Sequence, residues 1–241
     1  IFVDEAKEKL QKGMGLIIRE GSVAKNLKTL APVVNEFNSC QCLLCTDDRN
    51  PYEIFNEGHI NYMIKKMINE LGTPAHIAYR LSSFSAAKHF GLKKLGLIAP
   101  GKQADIVLVG KLEDVDVKEV FKKGELVSEL DLPSKVMDKL NKSEPPKENT
   151  IKRSFLAPTD FNYDLSAGTY NVMEIVKDEI ITNHLKVKYD GEEFAEDDIS
   201  YITVIERYGQ KRKPSLGLVK GMGLTRGAIA SSVAHDSHNI V

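Results

Sequence analysis

The sequence predicts an α/β protein in which parallel β/α units are followed by smaller, β-rich units. Short apolar runs alternate with amphipathic segments through the first ninety residues. The first two apolar runs begin about 27 residues apart, a spacing that suits one repeat of a β/α barrel. After Gly91 the alternation gives way to closely spaced β-like runs. The 241 residues, of which 42% are hydrophobic, suffice for a buried core and for more than one unit.

Local patterns define the elements of the first ninety residues. Strands are predicted at 15–18 and 42–45, where short apolar runs are bounded by polar residues. Helices are predicted at 4–12, 22–36, 60–71 and 74–90, where apolar residues recur at helical spacing. Ser22 is expected to cap the second helix, whose apolar stripe comprises Val23, Leu27, Leu30 and Val34.

The remainder is predicted to be mostly strand and loop. We expect a turn at 97–102, a strand at 104–109, and a hairpin of 115–121 with 125–128 around Lys122-Lys123-Gly124. Residues 132–154 contain three prolines and many charges, which indicates a linker or an exposed excursion. Further β-like runs lie at 172–176, 185–189 and 201–206. The predicted domains are 1–92 (β/α units), 93–130 (small β-domain), 131–165 (linker) and 166–241 (C-terminal domain).

The composition argues against several classes of protein. The 33 basic and 34 acidic residues nearly cancel, so no charge excess favours binding to nucleic acid or to an anionic membrane. No apolar run approaches the roughly 20 residues that span a bilayer, and no signal peptide is recognisable, which favours the cytoplasm. The chain lacks an initiator Met, starts within a helical segment and ends in a strand-like one. We therefore expect an internal piece of a longer protein.

Three cysteines lie close together, at positions 40, 42 and 45. A tetrahedral structural zinc site needs four ligands, and no fourth Cys or His lies nearby in the sequence. Strand alternation also turns Cys45 away from the other two if all three share one regular strand. Small core residues in a reducing compartment are the favoured interpretation.

Two adjacent carboxylates, Asp47 and Asp48, follow the predicted strand 42–45. Acids that are partly buried cost free energy unless they are paired or bind a cation. In a β/α barrel the carboxyl ends of the strands form the reaction face, so this pair suggests a metal ligand or a proton shuttle. A helix N-cap explains the same pattern equally well.

Polar residues at other predicted element ends are further candidates. Arg19 and Glu20 end the first strand, and because neighbouring strand residues point oppositely, at most one should face a pocket. A structural Arg–Glu–Asp network is the alternative. His59 begins a helix, where it faces either the reaction side or an interface. His76 and His89 lie on helices away from the strand ends and are expected to be surface or packing residues.

The last candidates form the segment His235-Asp236-Ser237-His238. On an extended chain Asp236 and His238 share one face, whereas His235 points to the other. The residue types suit a metal or a polar ligand. A buried, hydrogen-bonded corner between domains is the alternative.

Two sets of segments resemble known enzymes. Residues 74–92 and 96–107 resemble the amidohydrolase superfamily at the passage from the last barrel helix into a small β-domain. The narrower resemblance is to the adenine deaminase family. It is carried by Arg19-Glu20-Gly21-Ser22, Cys45-Thr46-Asp47-Asp48-Arg49, Glu57-Gly58-His59-Ile60-Asn61 and the long segment 220–239, which contains Lys220-Gly221-Met222-Gly223-Leu224 and Ala234-His235-Asp236-Ser237-His238-Asn239.

The resemblance implies a fold and an activity. It implies the last β/α units of a TIM-like amidohydrolase barrel, part of a small β-sandwich and a mixed α+β C-terminal domain. It further implies hydrolytic deamination of adenine to hypoxanthine and ammonia, with a divalent metal (manganese or iron, in a binuclear site), by a homo-oligomer. Another cyclic-amide or N-acyl amidohydrolase and a non-catalytic protein of the same fold are the alternatives.

The resemblance also assigns residues. Asp47 is expected to be the catalytic acid and metal ligand on the last barrel strand, with Asp48 nearby as a contact for the purine or as a helix cap. Arg19, Glu20, His59, His235, Asp236 and His238 are candidates for contacting the substrate or supporting the site. The family's remaining metal ligands, a His-x-His pair, a carboxylate and two single histidines, are expected before Ile1.

Overall fold

A computed structural model describes residues 2–143, 150–177, 181–210, 213–232 and 239–241. The described residues divide into two compact units, the first reaching Lys142 and the second beginning at Ser143. Within these ranges, no helix is both long enough and apolar enough to cross a membrane.

The first unit is built around two parallel strands. Strand β1 (Leu16–Arg19) pairs with β2 (Cys42–Cys45) in a register that sets Leu16 opposite Cys42 and Arg19 opposite Cys45. The helices of this region are α1 (Val3–Gln11), α2 (Leu27–Leu30), α3 (Pro51–Glu57), α4 (Ile60–Asn69), α5 (Ala75–Ser82) and α6 (Phe84–His89). Strands and helices alternate as the sequence predicts, and the described residues do not close a barrel.

The core of this unit lies between the two strands and the helices that cover them. Its fully buried large side chains are Leu16, Ile18, Leu27, Leu30, Met63, Met67 and Leu81. Burial of one such side chain stabilises the fold by about 1.5–3 kcal/mol. Along β1 burial alternates, with Leu16 and Ile18 buried and Ile17 40% exposed. One face of β1 therefore packs on the helices, and the opposite face is open.

The helix predicted at 22–36 is wrong in both length and cap. Only Leu27–Leu30 is α-helical, and a 3-10 turn at Ala31–Val33 follows it. Pro32 lacks the N–H that a continuing helix needs, which accounts for the early end. Before the helix the chain folds back on β1, because Asn26 N donates to Arg19 O (2.9 Å) and Arg19 N donates to Asn26 Oδ1 (2.7 Å).

The helix predicted at 74–90 is two helices. The break falls at Ser83, whose backbone angles of φ −122° and ψ −83° lie outside the helical region. Both Ser82 Oγ and Ser83 Oγ donate to Tyr79 O, at 3.0 and 2.6 Å. Serine hydroxyls that bond to the preceding turn bend or end helices, and two occur here in succession.

A three-stranded antiparallel sheet completes the first unit. Its order is β3 (Ile106–Val109), β4 (Val117–Lys122) and β5 (Glu125–Leu126). The predicted hairpin around Lys123 and Gly124 is confirmed, and both residues have the positive φ (56° and 86°) that a tight hairpin turn requires. Its second strand is shorter than predicted, because a 3-10 turn at Val127–Glu129 follows β5. The predicted linker contains a helix, α7 (Leu132–Asn141), that the sequence analysis did not assign.

Asp105 fastens the hairpin to the start of β3. Its carboxylate accepts hydrogen bonds from Lys122 Nζ (2.5 Å), the backbone N–H of Lys123 (2.8 Å) and Gln103 Nε2 (2.9 Å). The bond from Lys122, then those from Lys123 and Gln103, lower the pKa of Asp105 from 3.8 to about 2. Asp105 is thus the ionised anchor of the three-stranded sheet.

The second unit is a four-stranded mixed sheet. Its order is β7 (Thr182–Tyr189), β6 (Gly168–Ile175), β9 (Ser215–Lys220) and β8 (Ile199–Val204). Strands β6 and β9 run parallel, and the other neighbours run antiparallel. The core contains Val172, Val187 and Leu218, against which Tyr170 and Phe194 pack. The β-like runs predicted at 172–176, 185–189 and 201–206 lie in or overlap three of these strands, whereas β9 was not predicted.

Replacing Asp105 by Asn is expected to lower the melting temperature at pH 7, because the charged bond to Lys122 is lost. The pKa of Asp105 is depressed on folding, so its stabilising effect is complete above pH 3.8 and is lost as the pH falls toward about 2. The difference between wild type and Asp105→Asn should therefore shrink over that interval. Carboxyl NMR titration checks the pKa directly. Asp114→Asn, at an exposed carboxylate 3.8 Å from Lys111, is the matched control and should change little.

Candidate active site

The carboxyl ends of β1 and β2 bring together residues that are far apart in the sequence. The strands are parallel and Arg19 lies opposite Cys45, so the residues after Cys45 emerge beside Arg19. The backbone hydrogen bonding between the two strands continues for one residue beyond β1, since Glu20 N donates to Cys45 O at 3.0 Å. Arg19 Nη1 then donates to Asp47 Oδ2. The two side chains are 25% and 30% exposed, so solvent reaches this ion pair.

Asp47 has a backbone conformation that most residues avoid. Its φ of +52° lies in the left-handed region, which costs roughly 1–2 kcal/mol for an L-residue and is tolerated best by Asn and Asp among non-glycine residues. The conformation turns the chain sharply just after β2. Strain of this kind concentrates at functional sites, which makes Asp47 the leading candidate residue at the carboxyl ends of β1 and β2. We call these two strand ends, with the residues that follow them, the strand edge.

Asp48 holds the loop that follows β1. Its Oδ2 accepts a hydrogen bond from the backbone N–H of Val23 at 3.0 Å. Its Oδ1 is buried and accepts no hydrogen bond from the described part of the chain. A Cβ added to Gly21 would lie only 1.6 Å from Oδ1, so the loop approaches this closely only because residue 21 is glycine.

The helix-cap interpretation of the two aspartates is wrong. Helix α3 begins at Pro51, and its N-cap is Asn50, whose Oδ1 accepts from Glu53 N at 3.0 Å. Proline in the first turn and asparagine before it form a favourable helix start that the sequence analysis missed. Ser22, predicted as a cap, instead accepts from Asn50 N at 2.9 Å and donates to Glu53.

Glu20 faces the opposite way from Arg19, as strand alternation requires. It is only 2% exposed and accepts hydrogen bonds from Lys66 Nζ (2.6 Å) and Leu27 N (3.2 Å). Burial acts to lower the pKa of Lys66, but the hydrogen bond and charge of Glu20 outweigh it, so the pKa of Lys66 is raised. Glu20 therefore joins β1 to α2 and α4 within the core.

His59 reaches the same strand edge from the start of α4. Its Nε2 lies 2.9 Å from Thr46 Oγ1, and Thr46 is the residue between β2 and Asp47. Arg49, from the same segment as the two aspartates, lies buried behind this contact, with its side chain only 2% exposed. The sequence analysis did not single out Thr46 or Arg49, and only their place in the motif next to Asp47 could have indicated them.

His76 and His89 are not at this edge. His76 is exposed on α5, and His89 lies near Gly15, which precedes β1 at the opposite end of the strand. His235, Asp236 and His238 lie outside the described residues.

The described residues do not assemble a metal site by themselves. Within them, no group of three or more His, Cys, Asp or Glu side chains is placed to hold a metal ion. Asp47 offers one carboxylate, already paired with Arg19, whereas divalent metal sites in proteins use four to six donors. The three cysteines are free, and burial raises the pKa of the Cys42 thiol to about 11, which suits the predicted core role.

Two models of known protein families match this chain. A family model described as "Amidohydrolase family" matches residues 4–127, just over half of the chain. The chain belongs to the amidohydrolase family. A second model, described as "Adenine deaminase C-terminal domain", matches residues 179–241.

Individual proteins are also similar to this chain over nearly all of its length. The adenine deaminase of Bdellovibrio bacteriovorus is 62% identical over 241 residues, covering all of this chain and 41% of the relative. The adenine deaminases of Shewanella halifaxensis and Escherichia coli are 55% and 49% identical, each over 99% of this chain and 41% of the relative. The chain thus spans about two fifths of the length of the curated relatives it matches.

Lys66→Met is expected to lower the free energy of unfolding by roughly 3 kcal/mol, because it leaves the buried carboxylate of Glu20 unpaired. Adding Glu20→Gln to that variant removes the unpaired charge and should recover part of the loss. Lys65→Met, at the exposed neighbouring position on α4, is the matched control. Denaturant titration of the three variants measures the effect, and equal losses for Lys65→Met and Lys66→Met would contradict it.

Proposed function

We propose that this chain is part of a hydrolytic adenine deaminase, which converts adenine and water into hypoxanthine and ammonia. One observation carries the proposal. The similarity to adenine deaminases extends over 99–100% of the chain at 49–62% identity, and so includes both compact units. The amidohydrolase match alone favours hydrolysis but does not select a substrate, whereas the similarity across both units favours adenine.

The proposed architecture follows from the same evidence. We infer that β1 and β2 are the last two strands of an amidohydrolase barrel, and that β3–β5 belong to a small β-sandwich. The second unit is then the first part of the C-terminal domain. Parallel pairing of β1 with β2 and antiparallel pairing of β3–β5 support this division. The cytoplasmic location remains a prediction from the sequence, and the homo-oligomer remains a prediction from the resemblance.

Asp47 is the proposed proton carrier. In hydrolytic deamination a water oxygen bonds to C6 of adenine and the water loses a proton. The C6–N bond then breaks as the amino group takes up a proton and leaves as ammonia. A carboxylate at the strand edge can accept the first proton and return it to the leaving nitrogen, which contributes about 10²–10⁴-fold to the rate. Arg19, bonded to Oδ2, fixes the orientation of that carboxylate.

A divalent metal is part of the proposal, because amidohydrolases are typically metal-dependent. Bound at this edge, such an ion would lower the pKa of water toward neutrality. Manganese or iron in a binuclear site is the choice that the resemblance favours. Asp47 is the one proposed ligand in this chain, and the other ligands are expected outside it.

A chimera tests the activity. It joins this chain to the remaining part of the Bdellovibrio bacteriovorus adenine deaminase, which is 62% identical over the shared region. With added manganese, the chimera is expected to release ammonia from adenine, whereas this chain alone is not. Dihydropyrimidine rings and N-acetylated compounds serve as competing substrates. Hydrolysis of one of these in preference to adenine would support the alternative amidohydrolase reading, and inactivity on all would support a non-catalytic protein.

Asp47→Asn tests the proton carrier in the same chimera. Asparagine tolerates the left-handed backbone as aspartate does, so stability should hold while turnover falls by about 10²–10⁴-fold. Asp48→Asn is the neighbouring comparison, expected to act mainly on stability through the Val23 contact. Steady-state kinetics and thermal unfolding separate the two effects. Turnover by Asp47→Asn close to that of the unmodified chimera would remove Asp47 from the mechanism.

A further inference from the structure

Arg49 is buried behind the strand edge, and its guanidinium contacts a backbone carbonyl, two carboxylates and an aromatic ring. Nε donates to Gly58 O at 2.9 Å, and Nη2 donates to the carboxylate of Glu57. The guanidinium carbon lies 4.1 Å from the centre of the Tyr62 ring. A planar fork that bonds a carboxylate, a carbonyl and an aromatic face at once is a task for arginine that lysine does not perform.

The carbonyl that Arg49 holds belongs to a residue with an unusual backbone. Gly58 has φ +109° and ψ −176°, a conformation that is essentially restricted to glycine. A Cβ at this position would also lie 2.6 Å from Asn61 Nδ2. The next peptide is fixed as well, since His59 N donates to Asn61 Oδ1 at 2.8 Å. The backbone of the connection between α3 and α4 is therefore held in one conformation.

This backbone conformation places the imidazole of His59 at the strand edge. Nε2 is bonded to Thr46 Oγ1 at 2.9 Å, next in sequence to Asp47. His59 is exposed, and its Nδ1 makes no hydrogen bond to any residue in the described part of the chain. One ring nitrogen is thus anchored, and the other has no hydrogen bond from the described residues in a side chain that is exposed.

We propose that Arg49 is a positioning residue, which fixes the Gly58–His59 peptide so that the His59 ring is presented to the substrate beside Asp47. The inference rests on the proposed deaminase function and extends it to a residue that does not itself reach the reacting atoms. Arg49 acts through one backbone carbonyl and one histidine. The carboxylates of Glu57 and of Glu53, whose Oε2 lies 3.9 Å from Nη1, balance the charge of the buried guanidinium.

A double-mutant cycle in the chimera tests this. Arg49→Lys keeps the charge but loses the bond to Gly58 O, so kcat/KM should fall by about 10–100-fold, the scale of a small misplacement. His59→Ala should produce a similar fall. If Arg49 acts through His59, the double variant should be no more than about twofold worse than the worse single variant. Multiplicative losses, or an unchanged kcat/KM for Arg49→Lys, would overturn the proposal.

Arg80→Lys is the matched control. Arg80 is a partly buried arginine that donates to Ser39 Oγ at 2.8 Å, but Ser39 lies before β2, at the opposite end of that strand from Thr46. The same substitution at position 80 should leave kcat/KM unchanged, even where it lowers the melting temperature. This control distinguishes lost positioning from a general loss of stability.

A measurement that needs no turnover separates this proposal from the proposed function. The ring nitrogens of His59 are followed by two-dimensional NMR at fixed pH, with His59→Ala used for assignment. Arg49→Lys should shift or broaden these signals and Arg80→Lys should not. That result would support the positioning role even if the chimera proved inactive on adenine, and unchanged His59 signals in Arg49→Lys would overturn it whatever the activity.

Discussion

The parallel register of β1 and β2 is the constraint on which the strand edge depends. Because Arg19 lies opposite Cys45, the loops that follow the two strands start side by side and bond to each other repeatedly. Arg19 reaches Asp47, Val23 N reaches Asp48, and Ser22 bonds to both Asn50 and Glu53. A slip by one residue would turn each strand side chain to the other face and remove the first of these contacts.

The same backbone alternation divides the charged residues between two tasks. Arg19 shares a strand face with the exposed Ile17, and Glu20 shares a face with the buried Ile18. Glu20 is consequently committed to the core, where Lys66 and a helix N–H compensate the cost of burying its charge. Arg19 and Asp47 remain partly solvated, which leaves them accessible to a small polar molecule. Adjacent residues in one motif thus occupy a buried position and a solvent-accessible one.

The sequence was sufficient for elements that depend on local pattern. Both parallel strands and the hairpin at Lys123–Gly124 follow from apolar runs and turn residues, and the structure has them within two residues of the predicted bounds. Hydrogen bonds between residues far apart in the sequence could not be predicted from it. The polar loop after β1 was expected to be helical because Val23 fits a stripe, yet Val23 is 70% exposed and its N–H is taken by Asp48.

In the candidate site, too, some residues could be predicted from local sequence pattern and others could not. Asp47 could be proposed as a candidate because acids after an apolar strand are unusual, and Arg19 because it ends the preceding strand. Its pairing with Asp47 required the register, which no local pattern contains. Arg49 stood out only by its place in the motif next to Asp47, because its hydrogen-bond partners Gly58 O and Glu57 and the ring of Tyr62 lie 8 to 13 residues away in sequence. Burial of an arginine is a property of the tertiary structure alone.

The left-handed backbone of Asp47 limits which acid can occupy this position. Aspartate tolerates such a conformation because its short polar side chain can bond locally, an advantage that glutamate lacks. Exchange of the two acids would therefore add steric cost to the main chain as well as moving the oxygens outward by one methylene. The geometry of a single peptide unit thereby sets how far negative charge extends from the end of β2, and substitution with an equally charged residue is not a neutral change here.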